Sequence, residues 1–513
     1  MLYVDASAEA IRASATDLPS ITEHRAALRS RVRLDRVAYA GGHKAISEFL
    51  IQRNREPGQQ WAARQKHAHN IPVYRRAADT FARLVYGIAP TRKYWVGDQP
   101  RSKSDLITAL KSGQTIEQDE RTQAIQQWFK DTLDALYFDA LMLRAMPLAI
   151  RDGARAFKAV PRFDESGAVG VTIADFDIEH AFPIRAPDNA DEIVAAVETR
   201  HINDKDHYRL WSASEWYWVD ENMRPTRPPA GQLDGDDNVL GIIPFVWLGD
   251  ESRAEGNPLS DVIGYQRAAI NADSALNLGT RLQAHAVPTI KGNAVGGTTQ
   301  TGKSGEKQVS VNPWNMMQIE KDGDFYFANP GINLSVLKEI AESIERKGLE
   351  VAGLPEAIIS GNAGQNVQPT TLMIQWYTAL QIRNAYVMEA GKFEDALTNL
   401  LGVIASTYAD DYGLPAFSVD PMGTGPDVLD WDITFPESPL PHDRDAAEQR
   451  SRDQVEAGFK LLEDHLAEFV YPNDTPEEII GKAAAIRQQK QDALGLGAPA
   501  LGAGPITLPV LAP

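Results

Sequence analysis

Cysteine is absent from all 513 residues, which removes disulfide frameworks, thiolate nucleophiles and cysteine-ligated zinc or iron–sulfur clusters together. Positive charge is in deficit: 51 Lys and Arg face 70 Asp and Glu, a net charge of −19 with a pI near 5.0. That balance argues against a chain that grips DNA by neutralising phosphates, though not against one that lets DNA pass. Long hydrophobic runs are lacking too. Val239-Leu-Gly-Ile-Ile-Pro-Phe-Val-Trp-Leu248 is among the longest, well short of the roughly 20 residues a bilayer span needs, so no membrane anchor is expected. The opening MLYVDASAEAIRASATDLPS carries early acids and no basic stretch leading into an apolar one, so no secretory signal is expected. What is present is ordinary globular material, 43% hydrophobic and 24% charged, enough by length for about three domains of about 150 residues.

The first 150 residues carry helical patterning. Ala62 to Val85, and Ala124 to Ile150 with Ile125, Trp128, Leu133, Leu136 and Leu141 near helical spacing, each predict a helix. From Ala154 to Leu248 the pattern changes to short β-branched and aromatic runs separated by Asp, Gly, Asn and Pro turns, which predicts an antiparallel β region. After Pro258 the strand pattern stops, and Leu259, Ile263, Ile270, Leu278 and Leu282 follow one helical stripe. Lys291 to Asn329 is short-stranded and Gly-rich, with Val309, Val311 and Trp314 alternating against polar residues. A second helix is expected from Asn333 or Ser335, as cap, to Gly353-Leu-Pro355. The polar loop Ser360 to Pro369 then feeds a long helix over Thr370 to Tyr408, a strand over Val428 to Phe435, and a charged helical segment, His442 to Gln491, broken at Tyr471-Pro-Asn473. An uncharged Ala, Gly, Leu and Pro tail follows.

The most conspicuous motif is Gly297-Thr-Thr-Gln-Thr-Gly302-Lys303-Ser304, which matches the phosphate-binding pattern G-x-x-x-x-G-K-S. That chemistry needs a helix directly after the loop, because the phosphates sit on amides at the helix N-terminus. Here Gly305-Glu-Lys-Gln-Val-Ser-Val-Asn-Pro313 alternates like a strand, so a hairpin tip is expected rather than a nucleotide site. Ser335-Val-Leu-Lys338 matches S-x-x-K without its K-T-G or S-D-N partners, and a helix cap accounts for the serine better. His67-Ala-His69 places two imidazoles at i and i+2, which diverge on a helix; with Arg64 and Lys66 beside them a solvated basic face is expected. The pairs Asp410 with Asp411 and Asp236 with Asp237 sit in turn-rich sequence and are expected to be solubilising. No pattern here argues for catalysis, and no cofactor or metal is expected.

The order of segments, together with Ile242-Ile-Pro-Phe-Val-Trp-Leu248, Asn257-Pro-Leu-Ser-Asp-Val-Ile-Gly-Tyr-Gln266, Ala272 to Gly292, Asn329-Pro-Gly331 and Gly353-Leu-Pro355, resembles the portal proteins of tailed double-stranded DNA bacteriophages. Upstream, Tyr39-Ala-Gly-Gly-His43 and Asn70 through Asp79 to Gly87 are similar to that family's motifs, so the likeness covers roughly Asp35 to Gly458. At the loop-to-helix junction the chain has Gln368-Pro-Thr-Thr371 where many members have Ser-Gly and a small or apolar residue. The resemblance implies an α+β, portal-like fold: a mixed helical and β wing over 1–256, stem helices over 257–290 and 333–357, and a small α/β clip over 291–332. A channel loop over 358–369, a long wing helix and strand over 370–443, a helical crown over 444–492 and a tail over 493–513 complete it.

In function it implies a ring of about twelve copies, a heterologous closed assembly, at one capsid vertex of the virion, with assembly in the host cytoplasm. Double-stranded DNA would pass through without sequence specificity, past Asn362, Gly364, Gln365 and Asn366. Terminase and head-completion proteins would dock at the clip, at Lys303, Lys307 and Trp314, and major capsid and scaffolding proteins are further implied partners. Two other readings stay open: a P-loop nucleotide-binding enzyme resting on Gly297 to Ser304, and another structural protein of capsid assembly.

Overall fold

A computed structural model describes residues 20–97 apart from 55 and 57, and 120–249 apart from 166, 187, 188, 190 and 191. It also describes 257, 259–284, short strands between 287 and 328, 333–354, 369–419, 427–436, 444–456, 461–466, 470 and 476–493. The fold is mixed: helices alternate with small sheets whose ladders are all antiparallel. The chain divides into two compact units. One is built from residues 33–77 and 258–356 and the other from 1–32, 78–257 and 357–513. Residues 33–77 thus cluster with the later helices.

In the larger unit, helix α1 (Ile21–Arg31) begins with a capping box in which Ser20 and Glu23 satisfy each other's free amides. Helices α2 (Arg33–Ala40), α3 (Gly42–Phe49) and α4 (Gly58–His67) follow in the other unit, and α5 (Val73–Tyr86) is divided between the two after Ala77. Strand β1 (Thr91–Val96) leads to α6 (Glu120–Ala135) and α7 (Phe138–Asp152). Two sequence-predicted helices are thus each divided. Over Ala62 to Val85 the break falls at 68–72, where Pro72 disfavours helical backbone at the residue before it. Over Ala124 to Ile150 it falls at Tyr137, which takes a left-handed conformation with φ 49°.

The β region is antiparallel, as the alternation predicts. β2 (Ala154–Asp164) pairs with β3 (Gly167–Asp177) and with β9 (Phe245–Gly249), and β4 (Ala181–Arg185), β5 (Ile193–Ile202), β6 (Lys205–Trp211), β7 (Glu215–Val219) and β8 (Gly235–Asp237) form a five-stranded meander. β5 is buried at seven successive positions from Ile193 to Thr199, because both faces of its sheet are covered. Val194 and Val197 pack with Phe182, Leu210 and Ile21 of α1, whereas Ile193 and Ala196 pack with Ala156, Phe245 and Trp247 of the three-stranded sheet. Two-sided burial of this kind erases the period-two pattern.

The smaller unit holds α8 (Ser260–Ala284), strands β10 (Val287–Lys291), β11 (Ala294–Val295), β12 (Thr299–Thr301), β13 (Lys307–Val309), β14 (Gln318–Ile319) and β15 (Asp324–Ala328), and α9 (Leu334–Val351). Back in the larger unit, α10 (Pro369–Thr407) runs 39 residues, about 58 Å. Phe393, Leu397, Leu400, Leu401 and Ile404 are its buried stripe. Helix α11 (Ala409–Tyr412) precedes β16 (Leu429–Thr434), which pairs with β1 in register Thr91 to Thr434 through Val96 to Leu429. Helices α12 (Arg444–Glu456), α13 (Leu462–His465) and α14 (Pro476–Ala493) share a core of Val455, Leu462, Leu466, Ile479 and Ala483.

Candidate assembly element

The smaller unit holds two long helices bracketing a β excursion. α8 spans 25 residues and α9 18, about 37 and 27 Å at the helical rise. β10 and β15 pair antiparallel, Val287 opposite Ala328 through Lys291 opposite Asp324, so the chain leaves α8 and returns to α9 along one ladder. The helices pack directly on each other. Gly348, near the end of α9, lies against Tyr265, near the start of α8, so they run in opposite directions. A Cβ on Gly348 would sit 2.8 Å from Tyr265 Cβ and 3.0 Å from Val73 Cγ1; glycine is what permits the approach.

Both ends of α9 are chemically fixed. Asn333 Oδ1 accepts from the Val336 amide, and Ser335 donates to that same oxygen at 2.6 Å, so asparagine is the cap and the serine supports it. At the other end Gly353 takes φ 80°, with the Leu354 amide bonding to Leu349 O and the Gly353 amide to Glu350 O. That is the Schellman arrangement that glycine makes inexpensive. Lys338 pairs with Glu342 at 3.6 Å, one turn along the helix; the S-x-x-K match is helix chemistry.

Helix α8 is seated by buried amides. Gln266 is fully buried; its Oε1 accepts from the Tyr74 amide at 3.0 Å, and its Nε2 donates to Ala38 O at 3.0 Å and to Asn70 Oδ1 at 3.3 Å. Tyr74 donates its hydroxyl to Asp35 at 2.8 Å, and Ser260 reaches the same carboxylate at 3.2 Å. Asn271 donates to Phe49 O at 2.8 Å and accepts from the Ile51 amide at 3.0 Å. Arg64 is only 2% exposed and is held by Glu56 at 3.0 Å and by Ile51 O. Burial pulls its guanidinium below the usual value, and Glu56 opposes that pull. The solvated basic face expected at Arg64 is therefore corrected: the guanidinium is a buried fastener. His69 is exposed beside Asn277 and Asp273.

Of the phosphate-loop match, Thr299–Thr301 is the described part, and it is a strand. Thr299 pairs with Val309, Gln300 with Gln308 and Thr301 with Lys307, antiparallel. The chain is already strand at Lys307, three residues after Ser304, where a phosphate-binding loop would be continuing as helix. Lys307 is thus the first residue of β13. Lys303 and Trp314 lie outside the described residues, as do Asn362, Gly364, Gln365 and Asn366 of the expected channel loop.

Three clusters in the larger unit carry titratable groups. Asp177, Glu179 and His180 offer ligand atoms within 4.8 Å of one another, but Arg155 holds Asp177 at 2.5 Å and Arg29 holds Glu179 at 2.7 Å. Their charge is already met by arginine. A cleft of about 720 Å³ is lined by Arg92, Lys93, Gln126, Lys130, Tyr137 and Asp139 among others. Arg92 is engaged by Glu394 at 2.8 Å and Asp139 at 2.9 Å. Lys158 spans the two sheets to reach Glu198 at 2.7 Å, with Trp211 donating to the same carboxylate at 2.9 Å. Burial pushes the Lys158 ammonium down to about 8. Burial alone would raise Glu198, but Lys158, Trp211 and Arg200 together hold it below its usual value. Asp411, expected to be solubilising, instead accepts from the Ala168 amide at 3.0 Å and fastens the β2–β3 turn.

No family model matches the chain, and no curated protein matches it significantly. Among the described residues no helix is long and apolar enough to cross a membrane.

Proposed function

We propose that the chain is a portal protein of a tailed double-stranded DNA bacteriophage, a ring-forming conduit at one capsid vertex. The observation that carries the reading is the antiparallel pair α8 and α9, closed at one end by the β10–β15 ladder and followed in sequence by the 39-residue α10. Such a pair suits the wall of a channel: repeated around an axis and tilted side by side, it forms a stem, and the β excursion projects beyond it as a clip. In this reading the ring has about twelve copies with heterologous contacts, α10 belongs to the wing, and α12 to α14 form the crown. DNA moves through during packaging and ejection, terminase and head-completion proteins dock on the excursion, and capsid and scaffolding proteins surround the wing.

The net charge of −19 supports passage rather than capture, because few counterions are released when DNA meets an acidic wall. Against the nucleotide-enzyme alternative stands the strand at Lys307–Val309, where that reading needs a helix. Negative-stain imaging of the purified protein tests the proposal. Ring-shaped particles with a central hole are expected; uniformly small particles without a hole would contradict it.

A further inference from the structure

The −19 net charge is unevenly divided. Residues 33–77 and 258–356 hold 18 Lys and Arg against 14 Asp and Glu, a net +4, so the remaining residues, with 33 against 56, carry −23. The excess is concentrated in residues 33–77, with nine cations and three acids. The three acids offset only part of it. Asp35 is buried under Tyr74 and Ser260, Glu56 is buried against Arg64, and Glu48 is paired with Arg33 at 2.8 Å. Lys44, Arg53 and Lys66 are exposed, and their side chains make no ion pair among the described residues.

The segment between α3 and α4 is also held in place more firmly than a surface connection needs. Leu50 is buried, whereas Ile51, Gln52, Arg53 and Asn54 are exposed, Ile51 at 49%. Three polar groups from within the unit hold this backbone. Asn271 accepts the Ile51 amide, Arg64 donates to Ile51 O, and Glu56, itself clamped by Arg64, accepts the Arg53 amide at 3.0 Å. A buried guanidinium and carboxylate are costly to desolvate, and here they fix the backbone beneath an apolar side chain and an arginine that both face solvent. A fixed loop presenting Ile51 and Arg53, in a unit that also exposes Lys44 and Lys66, has the preorganisation of a docking surface.

We infer that the exposed residues 51–54, with Lys44 and Lys66, form one half of a head-to-tail interface whose other half is an acidic surface of a second copy of this chain. The inference rests on the ring reading above and names the surface through which the ring closes. Charge complementarity selects the occupant, since the part of the chain outside this unit carries −23. A complementary charged pair of surfaces steers association and makes it salt-sensitive.

The test is mass photometry of the purified full chain from about 0.05 to about 0.5 M salt, a range over which screening rises steeply, for wild type, Ile51→Asp, and the triple variant Lys44→Glu, Arg53→Glu, Lys66→Glu. Circular dichroism melts check that the exposed substitutions leave the fold intact. Wild type should lose higher oligomers as salt rises, and the variants should raise the assembly midpoint at least about tenfold. Mixed with wild type, the triple variant keeps its acidic half and lacks its basic half, so it should cap growing arcs and leave open fragments in place of rings. Closed rings that persist in the triple variant, with the same salt response, overturn the inference and leave the ring reading standing. Salt-sensitive dimers or arcs that never close, yet vanish in the variants, support the inference and overturn the ring. Wild type monomeric at every salt overturns both. Variant rings that have lost retention of a short DNA duplex assign the surface to nucleic acid, and that also overturns the inference.

Discussion

Single side chains decide how the elements of each unit meet, and two of them make testable cases. Gln266 is the only side chain bonding both the Tyr74 amide and the Ala38 carbonyl among the described residues, so Gln266→Leu strands a buried donor and a buried acceptor. A loss of about 3 kcal/mol is expected in urea unfolding; a loss below about 0.5 kcal/mol would mean that other groups satisfy that backbone. Lys158 gives a pH dependence of defined sign. Its folded value, about 8, lies below the ordinary lysine value of 10.5. Between those two pH values the unfolded chain holds a proton the folded chain has released, so this group adds stability as pH rises from about 8 to about 10.5. Urea melts across that window should show the rise in wild type and lose it in Lys158→Met; identical slopes would contradict the assignment. Neither the buried Arg64 nor the Lys158 pair was legible in the sequence. Arg64 read as a solvated residue because its partners, Glu56 in a loop and Ser274 at a separation of 210 positions, share no helical period with it, and Lys158 meets Glu198 only because two sheets stack.

Elements were legible where local chemistry sets their ends. Asn333 and Gly353 bound α9, and Pro369 opens α10, where the missing amide of proline costs nothing. Legibility failed where a helix breaks without a cap residue, as at Tyr137, and where a strand is short and carries proline, as in β4 with Pro183. The close packing of α8 on α9 was not visible either, since nothing local marks Gly348 as a contact. Gly348→Val should push the helices apart, costing about 1–3 kcal/mol and reducing ring yield, whereas unchanged melting would show that Tyr265 moves aside freely. The hairpin at β12 and β13 was legible from the alternation after Ser304. Lys303→Ala should leave nucleotide interaction unchanged, with no heat on titrating Mg-ATP into either protein; micromolar binding that disappears in the variant would restore the nucleotide reading.

At the scale of the whole molecule, segment order made the fold class legible. The α+β class was readable from the switch between helical and strand periods, while the grouping of residues 33–77 with 258–356 was not, because their contacts are separated by about 200 residues of chain. The expected channel loop contains amides and no cations between Ser360 and Pro369, which suits a duplex that must slide. Gln365→Lys with Asn366→Lys should leave assembly intact and impair DNA packaging or retention through added phosphate contacts; normal packaging and virion yield in that variant would remove this loop from the channel. Everything at this scale depends on one property, closure of identical chains into a ring. Native mass spectrometry of the purified full chain measures it most directly: the account predicts a single closed species of about twelve copies, and a stable monomer or a twofold dimer under assembly conditions would contradict it.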